Sequence, residues 1–171
     1  MQTAAGRGKD ALETLRVLRN RLSPAEHDAR LDLAEGHAWN LLSEFGQARE
    51  AAARAAAKGK IQGNRSLLGE ARWLEGSVRL KQGDLEGAER AYGEAKRIFE
   101  ALGDTYGEAL VLHELAEVLE RRDDLSAART WYERSLHVYQ QIGCESGVAD
   151  ALASVANMMA EHGQLSSAVK K

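Results

Sequence analysis

The feature that most constrains this chain is a turn written four times at one spacing. Lys81-Gln-Gly-Asp-Leu-Glu-Gly-Ala88 recurs forty residues later as Arg121-Arg-Asp-Asp-Leu-Ser-Ala-Ala128 and again as Glu161-His-Gly-Gln-Leu-Ser-Ser-Ala168. Forty residues earlier it stands as Leu41-Leu-Ser-Glu-Phe-Gly-Gln-Ala48. A fixed period of this length marks a repeated supersecondary unit. Each copy is too small to bury its own apolar face, so neighbouring copies must stack to make a core. One Pro in 171 residues, few β-branched side chains and abundant Ala, Leu, Arg and Glu make that unit helical.

Residues 8–22 read as a first helix, with Ala11, Leu12, Leu15 and Leu18 on one face and Arg16, Arg19 and Arg21 elsewhere. Ser23-Pro24 stops it, and Ser23, Pro24 and Glu26 together form a capped start for a second helix over about 24–42. The turn at Ser43-Glu44 leads to a third, alanine-rich helix over about 45–60. Helices follow over about 66–82 and 85–101. A further one opens at the capping-box pattern Thr105-Tyr-Gly-Glu108 and runs to about 121. The spacing then predicts helices over about 125–141 and 147–161, an end at Gly163, and a ninth helix starting near Leu165.

Aligned at the period, two columns are small: Gly36, Gly76, Ala116, Ala156, and Ala48, Ala88, Ala128, Ala168. A third is bulky and apolar: Phe45, Leu85, Leu125, Leu165. A fourth holds Tyr92 and Tyr132, with Ala52 in the first copy. Small against large at fixed positions describes an antiparallel helical hairpin repeated in tandem, its small residues where paired helices cross.

Gly83-Asp84-Leu85, Ala88, Tyr92 and Ala95, with the near copy Asp124-Leu125, Ala128 and Tyr132, resemble the turn and second helix of the tetratricopeptide repeat. Leu102-Gly103-Asp104 followed by Gly107-Glu108-Ala109 is similar to the junction of the lengthened, 40-residue variety of that family. The resemblance implies an all-α, right-handed superhelical solenoid of antiparallel hairpins. One array would span 1–171: residues 1–23 as the second helix of a preceding unit, 24–65 as repeat 1, 66–105 as repeat 2, 106–145 as repeat 3 and 146–171 as a truncated repeat 4. It also implies a non-catalytic scaffold that binds a peptide or partner helix in a concave groove. The alternative is a regulatory or sensor segment of a larger bacterial signalling protein, a kinase or a transcription regulator.

Carried over column by column, the groove-facing positions are Leu33, His37 and Asn40 in repeat 1, and Trp73, Ser77 and Lys81 in repeat 2. Repeat 3 gives His113, Glu117, Glu120 and Arg121; repeat 4 gives Ala153, Asn157 and Glu161. The clamp with which some family members grip a terminal carboxylate is not recognisable here, since Leu33, Trp73, His113 and Ala153 occupy its places. Trp73 is the anchor candidate, because aromatics dominate binding hot spots; its other reading is a core side chain. Two further columns depart from the family pattern, which is apolar there. Glu35 and Glu75 stand where Leu115 and Val155 follow, and Asp32 and Arg72 stand where Leu112 and Leu152 follow. Either these helices rotate slightly and Leu33, Trp73 and Leu74 take over the packing, or units 1 and 2 carry a polar, loosened junction that serves as a hinge or site. Glu75 and Arg79 are spaced for a helical ion pair.

The remaining chemistry argues against an enzyme. No two of the five histidines sit at a metal-binding spacing, and the glycines mark helix ends rather than a phosphate cradle. Cys144 has no neighbouring His or basic cluster to activate it, and as the single cysteine it forms no internal disulfide. No cofactor or metal is expected. Net charge is −3, divided as +3 over residues 1–68 and −6 over 69–171. The basic cluster Arg7, Lys9, Arg16, Arg19 and Arg21 lacks any groove-reading motif, so no nucleic acid is expected. No apolar run reaches membrane-spanning length and no secretory leader is evident, which points to a cytoplasmic protein. The expected partners are another protein or peptide, with self-association through the open ends of the solenoid.

Overall fold

The computed structural model describes residues 4–21 and 28–168, with side chains placed over 5–21 and 28–160. These residues form eight α-helices and no strand: α1 (Ala4–Arg21), α2 (Ala29–Leu41), α3 (Phe45–Ile61), α4 (Arg65–Lys81), α5 (Leu85–Leu102), α6 (Thr105–Arg121), α7 (Leu125–Gln141) and α8 (Glu145–Ala168). The first residues of α3, α5 and α7 are Phe45, Leu85 and Leu125, the bulky column, so the sequence period is the period of the helices.

The six junctions between α2 and α8 end in the same way. Ser43, Gly63, Gly83, Gly103, Asp123 and Gly143 all have φ between 61° and 80°. At Gly83 the following amide, Asp84 N, donates to Arg79 O at 3.0 Å, the six-to-one hydrogen bond of a helix closed by a left-handed residue. α4, α5, α6 and α7 are then capped by a side chain, whereas Glu44 ahead of α3 makes no such bond. Asn64, Asp84, Asp104 and Asp124 accept from the backbone N–H of Leu67, Gly87, Gly107 and Ala127 at 2.9–3.1 Å. The cap of α6 is therefore Asp104 rather than Thr105. A carboxylate three residues ahead of the Gly107 amide reaches it directly, and Thr105 becomes the first residue of the helix.

The chain divides into two compact units, Met1–Ile98 and Phe99–Lys171, the division falling within α5. In the first, α1 packs on α2, α2 on α3 and α3 on α4, and α2 also touches α4. In the second, α6 packs on α7, α7 on α8, and α6 touches α8. Each helix packing on the next, with the first helices of successive hairpins also in contact, is the packing of a helical repeat solenoid. The small columns occupy the crossings. Ala48, Ala88, Ala116 and Ala128 are fully buried, as are Gly36 and Gly76. Tyr92 and Tyr132 fill the space opposite them. The bulky column is only partly buried at Phe45, Leu85 and Leu125.

Three sequence expectations change. Leu18 does not join the apolar face of α1; it is 42% exposed, while Leu15 and Gly8 carry the contact with α2. α8 does not end at Gly163, and no ninth helix begins near Leu165, because α8 runs unbroken to Ala168. A lone glycine costs a helix only about 1 kcal/mol, and Gln164 does not offer the short capping side chain that Asp84, Asp104 and Asp124 supply. Ala156, the fourth member of a small column, is exposed. The expected start at Ser23, Pro24 and Glu26 lies outside the described residues, as do the side chains of Glu161, Leu165 and Ala168.

Candidate functional site

The spacing of Leu33, His37 and Asn40 places them on one face of α2, and that of Trp73, Ser77 and Lys81 places these on one face of α4. Packing of α2 beside α4 brings most of the two sets together. The His37 and Trp73 rings lie 5.6 Å apart, centre to centre, with their planes tilted by 39°. Asn40 Nδ2 donates to Ser77 Oγ at 3.2 Å. Lys81, exposed at the end of α4, acts on His37 electrostatically. Burial, with help from that ammonium, holds the His37 pKa below its usual 6.5, so the ring is neutral at pH 7. Leu33 stands apart: it is 6% exposed and belongs to the core between α2, α3 and α4, with Leu74 and Val78.

Two polar atoms in this face have no hydrogen-bond partner among the described residues, Trp73 Nε1 and Asn40 Oδ1. Asn40 is 8% exposed, so its carbonyl is largely withdrawn from water. An unmatched buried donor or acceptor costs about 1–3 kcal/mol, which makes the pair unusual.

The second unit presents a related arrangement on α6 and α8. The His113 ring meets Tyr132 edge-on at 5.0 Å, and its Nε2 stands 3.4 Å from Ser154 Oγ. His113 Nδ1 is buried without a partner among the described residues. Burial lowers the His113 pKa, and Glu117 and Asp150 offset only part of that. Tyr132 Oη donates to Glu120 Oε2 at 2.7 Å; burial and that carboxylate push the phenol pKa well above 10. Glu117 pairs with Arg121 at 2.8 Å. Asn157 and Ala153 are exposed on α8.

The charged columns of the first unit form a cluster that the periodicity did not reveal. Asp32 is fully buried, and its carboxylate accepts from Lys58 at 2.6 Å, Arg19 at 2.7 Å and Arg54 at 3.1 Å. Glu35 accepts from Arg19 and Arg54, both at 2.8 Å. Five side chains thus tie α1, α2 and α3 together. Burial alone would raise the Asp32 pKa; the hydrogen bonds from Lys58, Arg19 and Arg54 outweigh it and hold the pKa below 3.8. Arg19, read from sequence as part of an exposed basic cluster, is consumed here. The signal was present as an i, i+3 acidic pair, Asp32 and Glu35, and an i, i+4 basic pair, Arg54 and Lys58. On α4, Glu75 bonds Arg72 and Arg79 at 2.7 and 2.9 Å, the second being the expected helical pair.

A cleft of about 680 Å³ lies elsewhere in the first unit, lined by Leu12, Leu15, Arg19, Glu35, Trp39 and Leu42 among others. Lys9, Glu13, Arg16 and Glu44 line it as well, and Arg19 and Glu35 are paired with each other at 2.8 Å. No group of three or more His, Cys, Asp or Glu among the described residues is arranged to hold a metal ion. Cys144 is half-buried, its Sγ 3.6 Å from Ser146 Oγ.

Residues 67–141, from α4 through α7, match the family model of the tetratricopeptide repeat. These residues are tetratricopeptide repeats. No curated protein matches the sequence significantly. Tetratricopeptide repeats generally mediate protein–protein interactions and serve as non-catalytic scaffolds. Among the described residues no helix is long and apolar enough to cross a membrane.

Proposed function

We propose that this protein is an interaction scaffold that receives a peptide or partner helix on the face built by α2 and α4. His37 and Trp73 form its aromatic floor, and Asn40, Ser77 and Lys81 its polar edge. The α6/α8 face, with His113, Glu117, Glu120 and Asn157, continues the same role in the second unit. The observation that supports this reading is the pair of unmatched atoms, Trp73 Nε1 and Asn40 Oδ1. One is a donor and the other an acceptor, the complement of a backbone C=O and N–H. A partner that supplies both recovers what the free face lacks, and its apolar side chains meet the two rings.

The test selects peptides on the purified protein from a display library and compares variants that retain helical circular dichroism. Trp73→Ala is expected to weaken binding by about ten- to a hundredfold, about 1.4–2.8 kcal/mol. Trp73→Phe, which keeps a ring and removes the N–H, is expected to fall between. His113→Ala reports on the second unit. Binding unchanged in both alanine variants moves the site elsewhere.

A further inference from the structure

Lys81 is the base on the α2/α4 face that the chain leaves without a counter-ion. It is exposed at the end of α4 and makes no ion pair among the described residues. Other bases of the first unit are matched. Arg19 and Arg54 bind Asp32 and Glu35, Lys58 binds Asp32, and Arg72 and Arg79 bind Glu75. His37 is left without an acid by the same pairings. The carboxylates of its own helix, Asp32 and Glu35, are taken up by Arg19 of α1 and by Arg54 and Lys58 of α3. Lys81 of α4 is the charge that acts on the ring.

The groups of this face that lack a partner are mostly donors. Trp73 Nε1 has no acceptor, and the His37 ring makes no hydrogen bond among the described residues. A neutral imidazole offers one N–H and a charged one offers two; the Lys81 ammonium offers three. The exception is Asn40 Oδ1, an acceptor on a side chain more than nine-tenths buried. On an unmodified peptide, the group that opposes the charge of Lys81 and accepts without donating is a carboxylate. The α6/α8 face has the opposite character. Glu117 and Asp150 act on His113 there, and Glu120 accepts from Tyr132, so an incoming acid is repelled.

We propose that the partner segment presents an internal Asp or Glu side chain to the α2/α4 face, its carboxylate on Lys81 and beside His37. This rests on the reading of α2 and α4 as the interaction face and adds the chemistry of what binds there. The acid accepts from Lys81 Nζ, while the segment's backbone meets Trp73 Nε1 and Asn40 Oδ1. His37 then gains the opposite charge that it lacks in the free protein, and that charge favours the imidazolium. The complex takes up a proton that the free protein does not hold near neutral pH. Binding therefore tightens as pH falls, as long as the carboxylate stays ionised.

The test uses His-free peptides selected from a display library on the purified protein and synthesised with amidated C-termini, so that side chains are their only carboxylates. An Asp or Glu is expected at one enriched position. Its replacement by Asn or Gln should weaken binding about fivefold, a difference that shrinks in high salt. Lys81→Glu alters an exposed position and should reverse the ranking, so that a peptide with Lys in place of the acid binds the better. From about pH 7.5 to 5.5 the acidic peptide should bind at least about threefold tighter, and His37→Gln should abolish that gain. Equal binding of the acidic peptide and its amide overturns the proposal, as does a ranking that Lys81→Glu leaves unchanged. A pH profile that is flat or runs the other way overturns the placement beside His37. Trp73→Ala separates the two readings. If it still weakens binding when the acid is without effect, the α2/α4 face stands and only its preference for a carboxylate is lost. If Trp73→Ala binds as the unaltered protein does, both fall.

Discussion

Six residues decide where the helices turn, and two of them are chemically ill-suited to the task. Gly63, Gly83, Gly103 and Gly143 adopt positive φ without a steric penalty; Ser43 at 61° and Asp123 at 64° do so with a Cβ. A left-handed L-residue costs about 1–2 kcal/mol, and glycine loses about 0.5–1 kcal/mol through the greater freedom of its unfolded chain. The difference favours glycine. Ser43→Gly and Asp123→Gly are each expected to stabilise the protein by about 0.5–1 kcal/mol, read as a higher urea midpoint at unchanged slope. Asp123 should gain the more of the two, because its carboxylate also sits against the negative end of α6. Gly83→Ala should move the midpoint the other way. A loss of stability in Ser43→Gly would mean that its side chain contributes something to the junction that outweighs strain.

At the scale of helices, separation is set by what stands in the small column. A Cβ on Gly76 would lie 2.5 Å from Tyr92 Cδ1, a ring that is itself fully buried and has nowhere to retreat. Gly76→Ala is therefore expected to cost about 1–3 kcal/mol by thermal or urea unfolding, although alanine is the better helix former. The same pair of columns in the second unit holds Ala116 and Tyr132, so α6 and α7 accommodate a methyl that α4 and α5 do not. An unchanged midpoint in Gly76→Ala would show that α4 and α5 separate freely. These columns were legible in the sequence because they repeat, and repetition makes a tertiary contact visible as a local pattern. The interaction-face columns put His37 and Asn40 on one helix face and Trp73 and Ser77 on another, and the packing of α2 beside α4 makes the pairs. What the period could not give was any contact made once. Asp32 finds its partners thirteen residues back at Arg19 and onward at Arg54 and Lys58, a set that no other repeat copies. Ser154 against His113, and Tyr132 against both His113 and Glu120, are likewise pairings across helices that single columns do not announce. Leu33 was misplaced for the converse reason: its column lines the interaction face in the pattern, but here the charges at Asp32 and Glu35 leave it to fill the core.

For the molecule as a whole these one-off contacts fix how stability depends on pH, in two separate steps. His37 and His113 have pKa values lowered below 6.5 by burial. The unfolded chain therefore takes up protons on these rings before the folded chain does, and stability falls as pH drops below about 6.5 toward the folded midpoints. Asp32 and Glu75 have lowered pKa values for the opposite reason: hydrogen bonds from bases outweigh the cost of burying the carboxylate. Their contribution is complete above the unfolded carboxylate values of about 3.9–4.3 and is lost as pH falls through the lower folded values. The expected profile is a plateau above about pH 7, a first decline beginning near 6.5 and a second below about 4. Urea midpoints measured across this range should show both steps. His37→Gln with His113→Gln should flatten the first and leave the second. Asp32→Ala should lower the curve above about pH 4 by about 2–3 kcal/mol and shrink the second step, the loss being less than that from a fully enclosed ion pair because Arg19, Arg54 and Lys58 keep contact with water. A curve that stays level from about pH 7.5 to 5.5 would mean that the two imidazoles titrate as they do in an unfolded chain, and that the packing around Trp73 and Tyr132 does not shield them.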